Sequence, residues 1–569
     1  MKRNKIYKTL CLVSLVCGMP VMTSCESFLE EKEIPRVTVD FYSTQQGVDA
    51  AAIASYGYMR FGVSGEYTNI LTELGTDLIT GAQGGKKITN EYNMTSATGT
   101  FWDLWKNHYK GINTTNLVIG SVPGSSELTE PQKNLALAEM YFLRSYFYFD
   151  LVQQFGRIPL VLQADYEVRT EFKRASVAEI YKQMITDLRF SVDNLREKAT
   201  GEDQGKATRY AAAHLLSKVY LTRCSAVTED RGQKATDADS AYYYAMKVID
   251  CSNYKLLNNF SELWDPNNEG NAEVVFSVQF TPDLVYNGNG NKSHLYWGSG
   301  YEITGMKRDL ENGRPYTFHR PTNKTMFDLY DRKNDSRFYK SFKWVYYCNK
   351  PEAGLQLGDT AIYYSLNPLP ASSKVKYTYI QWNKADETQN YQFYPPVLKY
   401  FDPNRASMNE LKGVREWVRM RLGETYLLAA EAAGRKGDLN RAAELINVVR
   451  KRAAWHEGEE KMAQYWKEEG GVKGNMDDTF SEIEVKSADL SKDFVGFMLD
   501  ERGRELLGEY VRWEDLVRCE KAYEYVTKFN PYSGKLIKEY HKLRPIPQKH
   551  IDRLSPRGTD EEEQNVGYY

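Results

Sequence analysis

Tyr286, Tyr296, Trp297, Tyr301, Tyr316 and Phe318 fall within one stretch rich in Gly and Asn. Turn formers at this density prevent all six rings from joining helix-packing faces, so some of them face solvent. Exposed rings beside Asp, Asn and Arg suit sugar recognition. The C–H face of a pyranose packs on an aromatic plane, and the polar groups bond its hydroxyls and set its direction. Tyr296, Trp297, Tyr301 and Tyr316 are the candidates for such contacts. The competing role for each is to pack the loop onto neighbouring helices.

Catalytic chemistry has no comparable signal. The sequence contains no H-E-x-x-H, no G-x-S-x-G and no phosphate-binding Gly-rich Lys motif, and its seven His are scattered. Asp265, Asn267, Glu269 and Gly270 imitate the start of a calcium loop, but Phe276 stands where a bidentate Glu is required. The run Asp500, Arg504, Glu505, Glu509 and Arg512 has the three- and four-residue spacing of helical ion pairs, worth about 0.2–0.5 kcal/mol each. Glycoside hydrolysis needs only two well-placed carboxylates and stays a remote alternative, since the chain carries 76 acids. No enzyme activity, cofactor or metal is expected. The 74 Lys and Arg leave a net charge of −2, which gives nucleic-acid binding little electrostatic support.

The elements that must position these rings are mostly helical. Thr129 and Gln132 form a capping box, Pro131 sits in the first turn and Gly156 supplies a stop, marking a helix with an apolar face through Leu135, Ala138, Phe142 and Tyr146. A second box at Ser176 and Glu179 opens a helix through Leu195. Others are expected from Thr208 to about Arg223, from Ala238 to Ile249, and on both sides of the Gly437-Asp438 turn between Tyr426 and Arg452. The pattern reads as a mainly α fold, a tetratricopeptide-like scaffold of helical hairpins. From about 258 to 415 the rhythm breaks into a long loop-rich insertion with a few short strands, clearest at Glu273 to Phe280. Loops of that length are usually functional.

The N-terminus reads as an export signal: Lys2, Arg3, Lys5 and Lys8 precede an apolar stretch from Leu10 to Met22, too short to span a membrane. Its end, Val21-Met22-Thr23-Ser24-Cys25, resembles a bacterial lipobox. Residues 1–24 are therefore expected to be removed, Cys25 to carry acyl chains that hold the protein on a membrane, and 25–40 to form a tether. Cleavage there removes four basic residues and no acid, taking the net charge to −6. Cys224, Cys251, Cys348 and Cys519 lie far apart and predict neither zinc nor a disulfide pairing.

Taken in order, these segments resemble the SusD/RagB family of nutrient-binding outer-membrane lipoproteins. The resemblance rests on the lipobox, on Ala138 to Val161, Lys206 to Leu221, Glu273 to Phe276, Arg320-Pro321-Thr322 and Asp335-Ser336-Arg337. It continues through Arg421 to Ala433, Asp500 to Arg518, Leu543 to Pro547 and Gln564 to Tyr568, with Val566 where the family usually has Pro. It implies one SusD-like domain over 41–569, with its scaffold at about 41–257 and 416–569. It also implies a surface-exposed lipid anchor, an oligosaccharide ligand and a partner SusC-like TonB-dependent transporter. Because the family places part of its glycan site in early loops, Asp77 and Tyr92, within Glu73 to Asn93, join the candidates. A structural lid on the transporter without its own glycan affinity, or a peptide-importer component, is the alternative role.

Overall fold

The computed structural model describes residues 39–85, 87–385, 391–469 and 477–569. Cys25, the signal segment and most of the tether lie outside the described residues. Helix α1 (Gln45–Met59) is capped by Thr44, whose hydroxyl accepts the Gly47 N–H at 3.1 Å. After α2 (Gly99–Ser121) comes α3 (Glu130–Phe155), where the Thr129 N–H donates to Gln132 Oε1 at 3.0 Å and Gly156, at φ +66°, ends the helix. In α4 (Val177–Asn194) the cap is reciprocal: the Glu179 N–H donates to Ser176 Oγ at 3.2 Å and the Ser176 N–H to Glu179 Oε2 at 2.8 Å. Then follow α5 (Arg209–Ser225) and α6 (Asp237–Ile249) and, beyond the insertion, α7 (Leu422–Arg435) and α8 (Leu439–Ala453). Helix α7 begins one turn earlier than expected.

From α2 to α6 each helix packs on the next, and α6 packs on α7, which pairs with α8. The stack of hairpins thus continues across the insertion, as tetratricopeptide-like packing requires. Ala429, Ala430 and Ala433 of α7 are buried with Ala442 and Ala443 of α8, and such small side chains let helix axes approach to about 8 Å. Among the described residues no helix is long and apolar enough to cross a membrane. Cys224, Cys251, Cys348 and Cys519 are all free thiols.

The insertion is loop-rich with a few short strands, as expected, although most of those strands had no signal of their own in the sequence. Strand β1 (Ile79–Gly81) precedes it, while β2 (Val274–Val278), β3 (His319–Pro321), β4 (Val345–Tyr347), β5 (Thr360–Ser365) and β6 (Thr378–Gln381) lie within it, and β7 (Trp417–Arg421) leads out. Antiparallel β2–β7 pairing closes its neck, β1 pairs antiparallel with β3, and β5 lies between antiparallel β4 and parallel β6. Most of these strands are three to six residues long, and β1, β3 and β5 are buried almost throughout. A strand buried on both faces shows no alternation for a sequence reading to detect.

The charged run near the C-terminus differs from expectation in its partners. Helix α9 (Phe494–Glu505) contains the spaced pair Arg504–Glu501 at 2.9 Å, but most of the other charges reach distant segments. Glu505 meets Arg337 at 3.0 Å, Arg421 at 2.7 Å and Arg452. Arg421 also meets Glu273 at 2.9 Å and Glu509 at 2.7 Å, and Arg337 meets Asp335 at 2.7 Å and Glu501 at 3.1 Å. Except for the partly buried Arg504, these side chains are buried, and they form an internal charge network binding α9 to the insertion, its neck and α8. Burial raises the Glu505 carboxyl, but the three guanidiniums outweigh it and hold the group well below the usual carboxylate range.

Candidate functional site

The β1–β3 pair brings together the two stretches in which the sequence places its candidates. Thr80 lies opposite Arg320 and Gly81 opposite His319, and the ladder runs on as the Ala82 N–H bonds the Phe318 carbonyl and the Gly84 N–H that of Thr317, both at 2.9 Å. A Cβ at Gly84 would stand 2.2 Å from the Tyr316 carbonyl oxygen, and one at Gly85 2.2 Å from that of Phe318. Only glycine permits this approach. Thr317, left-handed at φ +52°, turns the backbone between two rings.

The result is an aromatic ledge. Tyr296 and Phe318 have centroids 4.9 Å apart, and Tyr316 lies 6.1 Å from Tyr296 and 6.2 Å from Phe318. Tyr296 and Phe318 are buried, while Tyr316 is partly exposed. At the rim the Lys87 ammonium stands 4.7 Å over the Phe318 ring and 3.1 Å from Glu66, with 31% and 39% of the two side chains exposed. Next to Glu66, the partly exposed Tyr67 stacks on Phe61 at 3.9 Å and donates to Asp103 at 3.5 Å. Gln83 is exposed, and its N–H bonds the carbonyl of Tyr391, a further half-buried ring. Beneath the ledge, the two His319 ring nitrogens lie 3.1 and 3.3 Å from the Tyr296 and Asn69 carbonyls; burial pushes the pKa down to about 4, so the neutral ring donates to one of them.

Of the residues selected from sequence, Tyr316 is the one that solvent reaches here, and Tyr296 supports it from below. The other four are corrected by their surroundings. Asp77 is 0% exposed and is held by Arg512 at 2.6 Å and Lys324 at 3.0 Å. Burial raises its carboxyl, but those two cations outweigh burial and bring it to about 2. Tyr92 ends a short helix at φ +49°, donates to the Gly75 carbonyl at 2.8 Å and stacks on His541. Trp297, also 0% exposed, lies between His319 and Tyr400 and donates to Tyr510 at 3.0 Å. Tyr301 stacks on Tyr346 and donates to the Gly313 carbonyl at 2.6 Å. Each of these four is buried and engaged in holding the fold.

Sequence reasoning missed Lys87, which lies inside the early candidate stretch, and the Phe61–Tyr67 pair. The signal available for that pair was two rings flanking Gly62 and Gly65, a turn-forming stretch like the one that drew attention to Tyr316. The ledge presents ring faces, an ion pair and amide groups, a set suited to holding a ligand of C–H faces and hydroxyls. Among the described residues no group of three or more His, Cys, Asp or Glu could hold a metal ion.

A family model described as the SusD family matches residues 229–568, and one described as starch-binding, associating with the outer membrane, matches residues 27–221. A SusD-like protein of Formosa agariphila is 24% identical, the alignment covering 96% of this chain and 97% of that one. Among solved structures, a SusD homologue from Bacteroides thetaiotaomicron superposes with a TM-score of 0.70 at 20% identity, covering 94% of this chain and 99% of its own. A laminarin-binding SusD-like protein gives 0.64 at 20% identity, covering 93% and 100%, and surface glycan-binding protein A from Bacteroides fluxus gives 0.65 at 20%, covering 92% and 100%.

Proposed function

Since the chain belongs to the SusD family, whose members are binding proteins, we propose that it captures oligosaccharides at the cell surface and delivers them to a SusC-like TonB-dependent transporter without cleaving them. The observation that carries this reading is the ledge: a partly exposed Tyr316 backed by two buried rings and bordered by Lys87 and Glu66, where the early loop meets the insertion. The laminarin-binding and glycan-binding relatives that share the fold support the ligand class, and the family description supports the outer membrane. The lipobox-like end of the signal segment supports anchoring through Cys25.

Electrophoresis of the protein through native gels containing different polysaccharides, with a reducing-end assay on the same mixtures, tests the proposal. One or more glycans should retard the protein, Tyr316→Ala should abolish the retardation, and no new reducing ends should form. Absence of retardation across a broad panel would favour a lid for the transporter or a peptide-importer component, and new reducing ends would make it an enzyme. For the anchor, Cys25→Ala should remove labelling by a fatty-acid probe, and unchanged labelling would refute it.

A further inference from the structure

A second aromatic surface lies along α2, and none of the residues lining it belongs to the ledge. Tyr58, Trp102, Trp105, Tyr109 and Phe172 line an open groove of about 440 Å³, within the ~300–1,000 Å³ typical of small-ligand pockets. Trp105 and Tyr109 are fixed: Trp105 packs edge-on against Phe155 at 5.2 Å, and Tyr109 donates to the Pro159 carbonyl at 2.8 Å. Trp102 is half-buried and lines the groove.

The groove is basic in a chain of net negative charge. The Arg553 guanidinium stands 4.7 Å over the Trp102 ring and the Lys549 ammonium 6.0 Å over it, while Lys106 and Lys110 are exposed along the same helix. Among the described residues, Lys110, Lys549 and Arg553 have no carboxylate within 4.0 Å, and Lys106 faces Asp103 at 3.2 Å. The carboxylate on the lining, Asp165, is engaged by Arg169 at 3.3 Å. In the wall, His550 packs on Trp105 at 4.7 Å and has a buried Nε2 without a hydrogen-bond partner. Burial, with the Arg174 and Arg553 charges, lowers its pKa to about 4, so the neutral ring can donate or accept.

Rings in a row suit a chain of flat-faced sugar units, and uncompensated cations suit carboxylates or sulfates on those units. We infer that this groove is a second carbohydrate site, selective for acidic oligosaccharides, in which Trp102 stacks on a sugar ring and Arg553 with Lys110 binds its acidic groups. It stands independently of the ledge reading.

The test is calorimetric titration of the whole protein in detergent with trigalacturonate, trimannuronate and a heparin disaccharide, beside neutral maltotriose. At least one acidic probe should bind saturably, more weakly as salt rises. Arg553→Glu and Trp102→Ala should each weaken binding about tenfold, the scale of one hydrogen bond to a charged group, while Tyr316→Ala leaves it unchanged. Arg553 is exposed and Trp102 half-buried, and an unchanged melting temperature would confirm that both variants fold. Failure of every acidic probe to bind, equal affinity for maltotriose, or binding that survives both substitutions would each overturn the inference.

Discussion

The ledge at Tyr316 and the network around Glu505 both use pairs of Arg or Lys with carboxylates. They differ in access to water. At Glu505 every charge is enclosed and matched to fixed partners, so the group joins helix α9 to the insertion, its neck and α8. At the ledge, Lys87 and Glu66 keep about a third of their surface in solvent, where a ligand can compete for them. Trp297 and Tyr316 repeat the contrast within one stretch of chain, the first enclosed by His319 and Tyr400, the second open. Solvent access separates a residue that builds the fold from one available for recognition.

Substitutions can break this contrast, and the largest effect is expected at its buried end. Glu505→Gln removes the charge shared by three guanidiniums and should destabilise the protein by about 3–5 kcal/mol, measured by urea unfolding. Trp297→Ala should cost about 3 kcal/mol through the cavity it leaves. Tyr316→Ala should change stability by no more than about 0.5 kcal/mol while abolishing gel retardation. Equal stability losses from Trp297→Ala and Tyr316→Ala would erase the distinction.

Two buried acids near the ledge sharpen it through pH. Burial pushes Glu73 up to about 8 despite backbone N–H bonds from the 510–512 turn, so the folded protein keeps a proton that the unfolded chain releases above 4.5. Its contribution to stability should therefore decline as pH rises from 4.5 to 8, and Glu73→Gln should flatten that slope in melting temperature. Asp77 has the opposite sign. Held at about 2, it stabilises fully above 3.8 and loses that contribution as pH falls through 2, a limb that Asp77→Asn should remove. Lys87→Ala should cost about 0.2–1 kcal/mol of stability, with weaker glycan retardation as its main readout.

The scaffold was legible because its signals are local. Thr129 with Gln132 and Ser176 with Glu179 identify helix starts within four residues, and the structure uses both pairs as caps. The Asp500 to Arg512 run was legible as structural ion pairing but not in its partners, because Arg337, Arg421, Arg452 and Asp77 lie 53 to 435 positions away. The aromatic stretch was legible only as a region. Whether Trp297 or Tyr316 faces water depends on His319, Tyr400 and Tyr510, contacts that exist only after the insertion has folded back on α9 and the turn following it.

The β2–β7 neck has a consequence for how such a protein can change. Because α6 stacks on α7 and the two strands pair, the ends of the insertion are held side by side by contacts that do not involve its loops. Lengthening a loop whose ends are so fixed costs only its closure entropy, about 0.6 kcal/mol for each doubling. The excursion between Val278 and Trp417 can therefore gain or lose residues, and with them a new ledge for another ligand, while the register of the helical stack stays unchanged.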